Sequence, residues 1–194
     1  MPETQPTDAS ERSTDPSGRR LRHFVEWVVI LAVALTMSVV VRDYAFQTFY
    51  IPSGSMEPTL LIGDRIIVDK LAVELGTVHT GDIIVFRAPR EVRFKCGAHD
   101  VDLVKRVIGT PGDHLSSSGD TILINGVALQ ERWSHLEPLG PAITPRVVPK
   151  NEYFVMGDNH SNSCDSRYWG MVPRGNILGK VFLRVWPVTR IHWF

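Results

Sequence analysis

The chain has two cysteines in 194 residues, no CxxC pair and no Cys/His cluster at zinc spacing. It also lacks a glycine-rich phosphate loop. Those absences argue against a zinc module, a dithiol redox site and a nucleotide cofactor, so no metal and no cofactor is expected. Charge of one sign is missing too: 21 basic residues balance 21 acidic ones, which leaves no basic footprint for nucleic acid. Cys96 and Cys164 are far apart in sequence; one disulfide in an oxidising compartment and two free thiols both remain open.

One long hydrophobic run is present. Residues 1–23 are polar, with Pro2, Pro6, Pro16 and Gly18, and read as a disordered cytoplasmic tail. Residues 24–41 are almost continuously apolar. A span needs about 20 such residues, and Glu26 lies close enough to the end to reach water. Arg19, Arg20 and Arg22 precede the run and Arg42 follows it, which predicts an inside N-terminus and an outside C-terminal part. Ala32-Val33-Ala34 has the small-x-small form seen where a secretory leader is cut. A cut there would leave a short apolar core containing a glutamate, so an uncleaved anchor fits better.

From residue 42 to 194 the pattern is β. Arg65–Asp69, Asp82–Arg87, Asp102–Ile108, Glu152–Met156 and Gly179–Trp186 are short β-branched runs bounded by turn residues. Asn125-Gly126 between Thr121–Ile124 and Val127–Leu129 predicts a tight hairpin. Residues 130–150 hold four prolines and no clear period, and are expected to form a surface excursion.

Three segments carry chemistry. Ser55 lies in Pro52-Ser53-Gly54-Ser55-Met56-Glu57-Pro58-Thr59-Leu60, a segment whose turn can present a hydroxyl. A serine hydroxyl needs a base. The seven histidines mostly sit in polar, turn-like surroundings, His160 in the densest polar loop. Lys105 instead lies in the apolar strand Leu103–Ile108. Strand alternation puts it on a face with Leu103 and Val107, and sends Arg106 toward solvent or an acid. Burial disfavours an ammonium and makes a lysine available as a base; a lysine in a strand can equally snorkel to water. The third segment, Gly157 to Gly170, is rich in Asp, Asn and Ser, which suits turns and also suits the surroundings of a buried charge.

Together these boxes resemble those of bacterial type I signal peptidases, membrane-bound Ser-Lys serine proteases, over roughly residues 24 to 186. The resemblance implies a β-rich extracytoplasmic catalytic domain behind one transmembrane helix, in the plasma membrane. It implies Ser55 as nucleophile and Lys105 as general base, with an oxyanion hole from the Ser55 N–H and the Ser53 hydroxyl. Ser163 would orient the lysine amine, and Asp165 and Arg167 would form an ion pair holding the loop. Phe49, Ile51, Leu103 and Val104 would line pockets for small side chains. The partners so implied are preproteins bearing signal peptides and the lipid bilayer, with Phe46, Phe49, Tyr50, Trp186, Trp193 and Phe194 available to dip into lipid, and a monomer is expected. Glu57 and Cys164 depart from the family pattern; Cys164 is expected as a packed thiol. A self-cleaving Ser-Lys repressor is the enzymatic alternative, opposed by the apolar span. A silent, membrane-tethered binding module is opposed by the presence of both Ser55 and Lys105. A peptidase restricted to a few surface proteins is indistinguishable at this level from a housekeeping one.

Overall fold

The computed structural model describes residues 16–96, 102–133 and 138–194. The expected tail over residues 1–15, and His99 and His135, lie outside the described residues. The chain divides into two compact units, residues 1–42 and 43–194.

Helix α1, Pro16–Ala45, dominates the first unit. It begins inside the stretch read as tail and runs past residue 41. Proline suits a first helical position, where its missing N–H breaks no bond, and polar flanks can continue a helix that the apolar run has nucleated. Its window Arg22–Val39 has mean hydropathy 1.5 and is long and apolar enough to cross a membrane. Phe24, Trp27, Ile30, Leu31, Val33 and Leu35 leave apolar surface on every side. Within it Thr36 Oγ1 donates to the Ala32 carbonyl at 2.8 Å, and Glu26 pairs with His23 at 3.1 Å.

The second unit is mainly β. Its strands are β1 Phe46–Tyr50, β2 Arg65–Asp69, β3 Ile83–Arg87, β4 Asp102–Gly109, β5 His114–Ser118, β6 Thr121–Ile124, β7 Val127–Ala128, β8 Arg146–Val147, β9 Glu152–Met156, β10 Val172–Pro173, β11 Ile177–Trp186 and β12 His192–Trp193. Three short helices join them: α2 Leu71–Glu74, α3 Arg90–Cys96 and α4 Ser166–Trp169. The larger sheet has the order β1-β2-β11-β3-β4-β9-β10, with β12 on β11; the smaller has the order β7-β6-β5-β8. Every pairing is antiparallel.

The apolar runs follow from burial on both faces. Along β3, Ile84 and Phe86 pack with Val107, Val155 and Trp169, while Ile83 and Val85 pack with Ile51, Met56 and Leu60. Ile108, Phe154 and Met156 meet the small sheet through Leu115 and Ile122. The Asn125-Gly126 hairpin forms as expected, with φ of 54° and 80°.

Residues 130–150 are not merely a surface excursion. Leu139, Ile143 and Val148 are buried in the core shared with the small sheet, and Arg146–Val147 is β8. Pro138, Pro141, Pro145 and Pro149 remove the periodicity by which a sequence reveals burial, yet leave single apolar residues between them to pack.

Candidate active site

After β1, Ile51 is locked by backbone bonds to Asp64 and Gly63, each 2.9 Å. A 3-10 turn then covers Gly54–Met56. Met56 and Leu60 are driven into the core, which leaves Ser55 between them and the surface with its hydroxyl turned to a cleft.

Lys105 lies in mid-β4, opposite Ile84 of β3. It is 4% exposed, and its Nζ donates to Ser55 Oγ at 2.5 Å. Burial lowers its pKa from 10.5 to about 8; Asp165 and Asp158 oppose that shift and Arg167 adds to it. Snorkelling is thereby ruled out for this lysine. Arg106 does not reach solvent but the acid: it is 7% exposed and grips Asp158 with two bonds, Nε–Oδ1 at 2.8 Å and Nη2–Oδ2 at 2.6 Å.

The loop after β9 joins these two elements. Asn159 donates its backbone N–H to the Ser55 carbonyl and its Nδ2 to the Gly54 carbonyl, both at 3.2 Å. Asp158 also accepts from Thr59 Oγ1 at 2.5 Å. Gly157 packs where a Cβ would collide with the Ser55 carbonyl and the Ser163 side chain. The side chains of Asp165 and Arg167 are fully buried and paired at 2.7 Å. Arg167 further donates to the carbonyls of Leu139 and His160, and Asp165 accepts from the Gly157 N–H at 3.2 Å.

Ser163 lies beside Gly157, but no hydrogen bond joins it to Lys105; among the described residues its buried Oγ has no partner. Cys164, next in the chain, is bonded to Cys96 with a Cα–Cα distance of 6.0 Å. The expected packed thiol is therefore a disulfide, and the choice left open between bonded and free cysteines closes. The 68-residue separation hid a proximity created by α3 and α4 lying together.

A cavity of about 260 Å³ opens over the pair. Phe49, Ile51, Leu103 and Val104 line it with Met56 and Val85, and Ser53 lines it as well as Ser55. Among the described residues no histidine lines it. His160 is buried instead against Glu131, 3.2 Å away. Among the described residues no group of His, Cys, Asp or Glu is placed to hold a metal ion.

Sequence reasoning assigned no role to Thr59, Gly157, Asp158, Asn159 or Trp133, whose ring lies 4.4 Å from the Arg106 guanidinium. The signal for four of them was present, since they fall inside the serine and polar boxes. Trp133 had none, because it lies in the proline-rich stretch without a period.

Comparison with known proteins shows the family of the chain. A family model described as signal peptidase, peptidase S26 matches residues 24–186. A probable signal peptidase I-2 of Synechocystis sp. is 40% identical over 161 residues, covering 83% of this chain and 72% of its own. A signal peptidase I of Leptolyngbya laminosa is 34% identical over 190 residues, covering 98% and 90%. Among solved structures, a signal peptidase I from Enterococcus faecalis aligns with TM-score 0.44 and 32% identity over 54% of this chain and 96% of that one. On the family match and these relatives, the chain belongs to the signal peptidase family, peptidase S26, and is a serine endopeptidase.

Proposed function

We propose that Ser55 and Lys105 form a catalytic dyad that removes signal peptides from secreted preproteins by cutting after small-x-small sequences. The observation that carries this reading is a buried lysine amine 2.5 Å from a serine hydroxyl, both lining one cavity. Neutral Lys105 takes the Ser55 proton as the hydroxyl attacks the scissile carbonyl. The resulting ammonium protonates the leaving amine, and the same lysine then activates the water that hydrolyses the acyl-enzyme. The Ser55 N–H and the Ser53 hydroxyl stabilise the oxyanion, at about 3 kcal/mol for a donor of this kind. Ser163 orients the amine; support comes from its buried, unpartnered hydroxyl beside Gly157. The Asp165–Arg167 pair holds the loop that carries it.

Specificity for alanine-sized residues follows from a cavity walled by Phe49, Ile51, Val85, Leu103 and Val104. Among the described residues β9 pairs with β4 only from Arg106 onward, so Asp102–Lys105 has no strand partner on that side, which suits the pairing of an extended peptide there.

The active domain lies outside the cytoplasm, as a monomer on a single-pass helix with its N-terminus inside. Three arginines before the apolar run and one after it support that orientation. So does the disulfide, which persists in oxidising compartments. Phe46, Tyr50, Trp186, Trp193 and Phe194 are exposed and serve the lipid surface; Phe49 is turned inward to the cavity. Sharing one membrane with its substrates raises their effective concentration.

The test is cleavage of a peptide ending its signal sequence in Ala-x-Ala by the detergent-solubilised full chain. Wild type should cut after the last alanine, and folded Ser55→Ala and Lys105→Ala should be inactive. Activity retained by Lys105→Ala would overturn the dyad.

A further inference from the structure

Trp133 belongs to neither the dyad nor the cleft. It packs onto the core shared with the small sheet. Its ring lies over the Arg106 guanidinium at 4.4 Å and against Gly81, whose carbonyl accepts from Arg106 Nη1 at 2.7 Å. Arg106 in turn holds both oxygens of Asp158, and Asp158 accepts from Thr59 four residues beyond the nucleophile. A chain of contacts thus runs from residue 133 to the Ser55 turn.

We propose that Trp133 is a positioning residue for the peptidase reaction: its ring clamps Arg106 onto Asp158, and so fixes both the charge beside Lys105 and the turn that carries Ser55. This rests on the reading of Lys105 as the base.

The physical argument has two steps. A guanidinium against an aromatic face gains from the ring quadrupole and is shielded from water on that side. Arg106 is therefore held in one geometry, with its fork matched to a single carboxylate. The groups facing Lys105 are Ser55 from the nucleophile turn, with Asp158, Asp165 and Arg167 from the loop after β9; Ile84 of β3 is apolar, and Arg106 lies on its own strand. Asp165 already has Arg167. Asp158 is the carboxylate whose neutralisation depends on Arg106. If Arg106 is released to water, the Asp158 charge is left bare, the Lys105 ammonium is favoured, and a higher pH is needed to free the base.

The experiment reads the Lys105 amine directly. Competitive acetylation of the full chain in detergent with acetic anhydride, across pH, gives the Lys105 midpoint by peptide mass spectrometry whether or not any substrate is cut. Wild type is compared with Trp133→Ala, Trp133→Leu and Trp133→Phe. Ala and Leu should raise the midpoint by about half a unit or more. Phe, which keeps an aromatic face, should hold the wild-type midpoint. In peptide cleavage the same shift appears as a kcat loss of about threefold at neutral pH that disappears at high pH, with KM little changed. A wild-type midpoint in both Leu and Ala overturns the proposal, as does a shift in Phe equal to that in Leu. A cleavage loss that is equal at every pH also overturns it, since that is the mark of packing alone. Should Trp133→Ala fail to fold, the Leu and Phe pair decides. Wild type that labels normally but cuts nothing counts against the peptidase reading and leaves the clamp to be judged on the midpoints.

Discussion

Thr59 and Asp158 are joined by a 2.5 Å hydrogen bond although 99 residues separate them. That bond, with the Arg106–Asp158 pair, fastens the Ser55 turn to the strand that carries Lys105. Removing one side of a buried pair costs about 3–5 kcal/mol, because the other charge is left alone. Asp158→Ala should therefore lower stability by about that much. Thr59→Val removes one charge-assisted bond and leaves the pair whole, at about 1.5–3 kcal/mol. Urea unfolding followed by circular dichroism would measure both, and equal losses would show that the Arg106 partner is not the larger contribution.

The pH dependence follows from Lys105. Only the neutral amine accepts the Ser55 proton, and burial brings its pKa down to about 8. The value of kcat/KM should rise with pH, with a midpoint near 8, and fall about tenfold for each unit below it. A profile flat from pH 6 to 9 would remove Lys105 as the base.

The same burial has a cost in stability. The folded pKa lies below the unfolded 10.5, so the penalty is full below about pH 8, shrinks between about 8 and 10.5, and is absent above. A shift of that size amounts to about 3 kcal/mol. Lys105→Met should be inactive, yet more stable than wild type near pH 7 by up to about that amount, with the gap closing by pH 10.5. Thermal unfolding at pH 7 and pH 10 reads the difference. A variant less stable than wild type at pH 7 would mean that the Ser55 contact outweighs desolvation.

Gly157 is required by close approach rather than by its own backbone angle. A Cβ there meets the Ser55 carbonyl and the Ser163 side chain. Gly157→Ala should displace the nucleophile turn, and a displacement near 1 Å costs about 10²-fold in rate. Cleavage assays on a variant shown to be folded would test this; activity within a fewfold of wild type would show that the turn can give way freely.

Local chemistry made the Ser55–Lys105 contact legible. The Ser55 turn and the apolar Leu103–Ile108 strand each carry their signal within about ten residues, and the cavity residues flank those two segments. What stayed hidden depends on long-range contact. Nothing in residues 130–150 says that Leu139 caps Arg167 through its carbonyl or that Trp133 covers Arg106. Strands β8, β10 and β12 went unread because they are two residues long, and β1 and β5 because polar residues (Gln47 and Thr48; Ser116, Ser117 and Ser118) break their apolar pattern; all are held by their partners rather than by propensity. Arg106 shows the limit of alternation itself: its face was right, but burial was set by an aspartate more than fifty residues away.

The Cys96–Cys164 bond gives the last prediction. It fastens the end of α3 to the residue after Ser163 and closes a loop with a sequence separation of 68. Constraining the unfolded chain over such a loop is worth about 4 kcal/mol. A Cys96→Ser, Cys164→Ser double variant should lose up to that amount in urea unfolding, and reduction by dithiothreitol should bring wild type to the same midpoint. Ser163 is held on its other side by Gly157 and by the buried Asp165–Arg167 pair. The loop therefore has anchors besides the disulfide, and below its lowered midpoint the double variant should keep most of its peptide cleavage. Loss of cleavage in a variant that is still folded would instead show that the disulfide, rather than the ion pair, sets the position of Ser163.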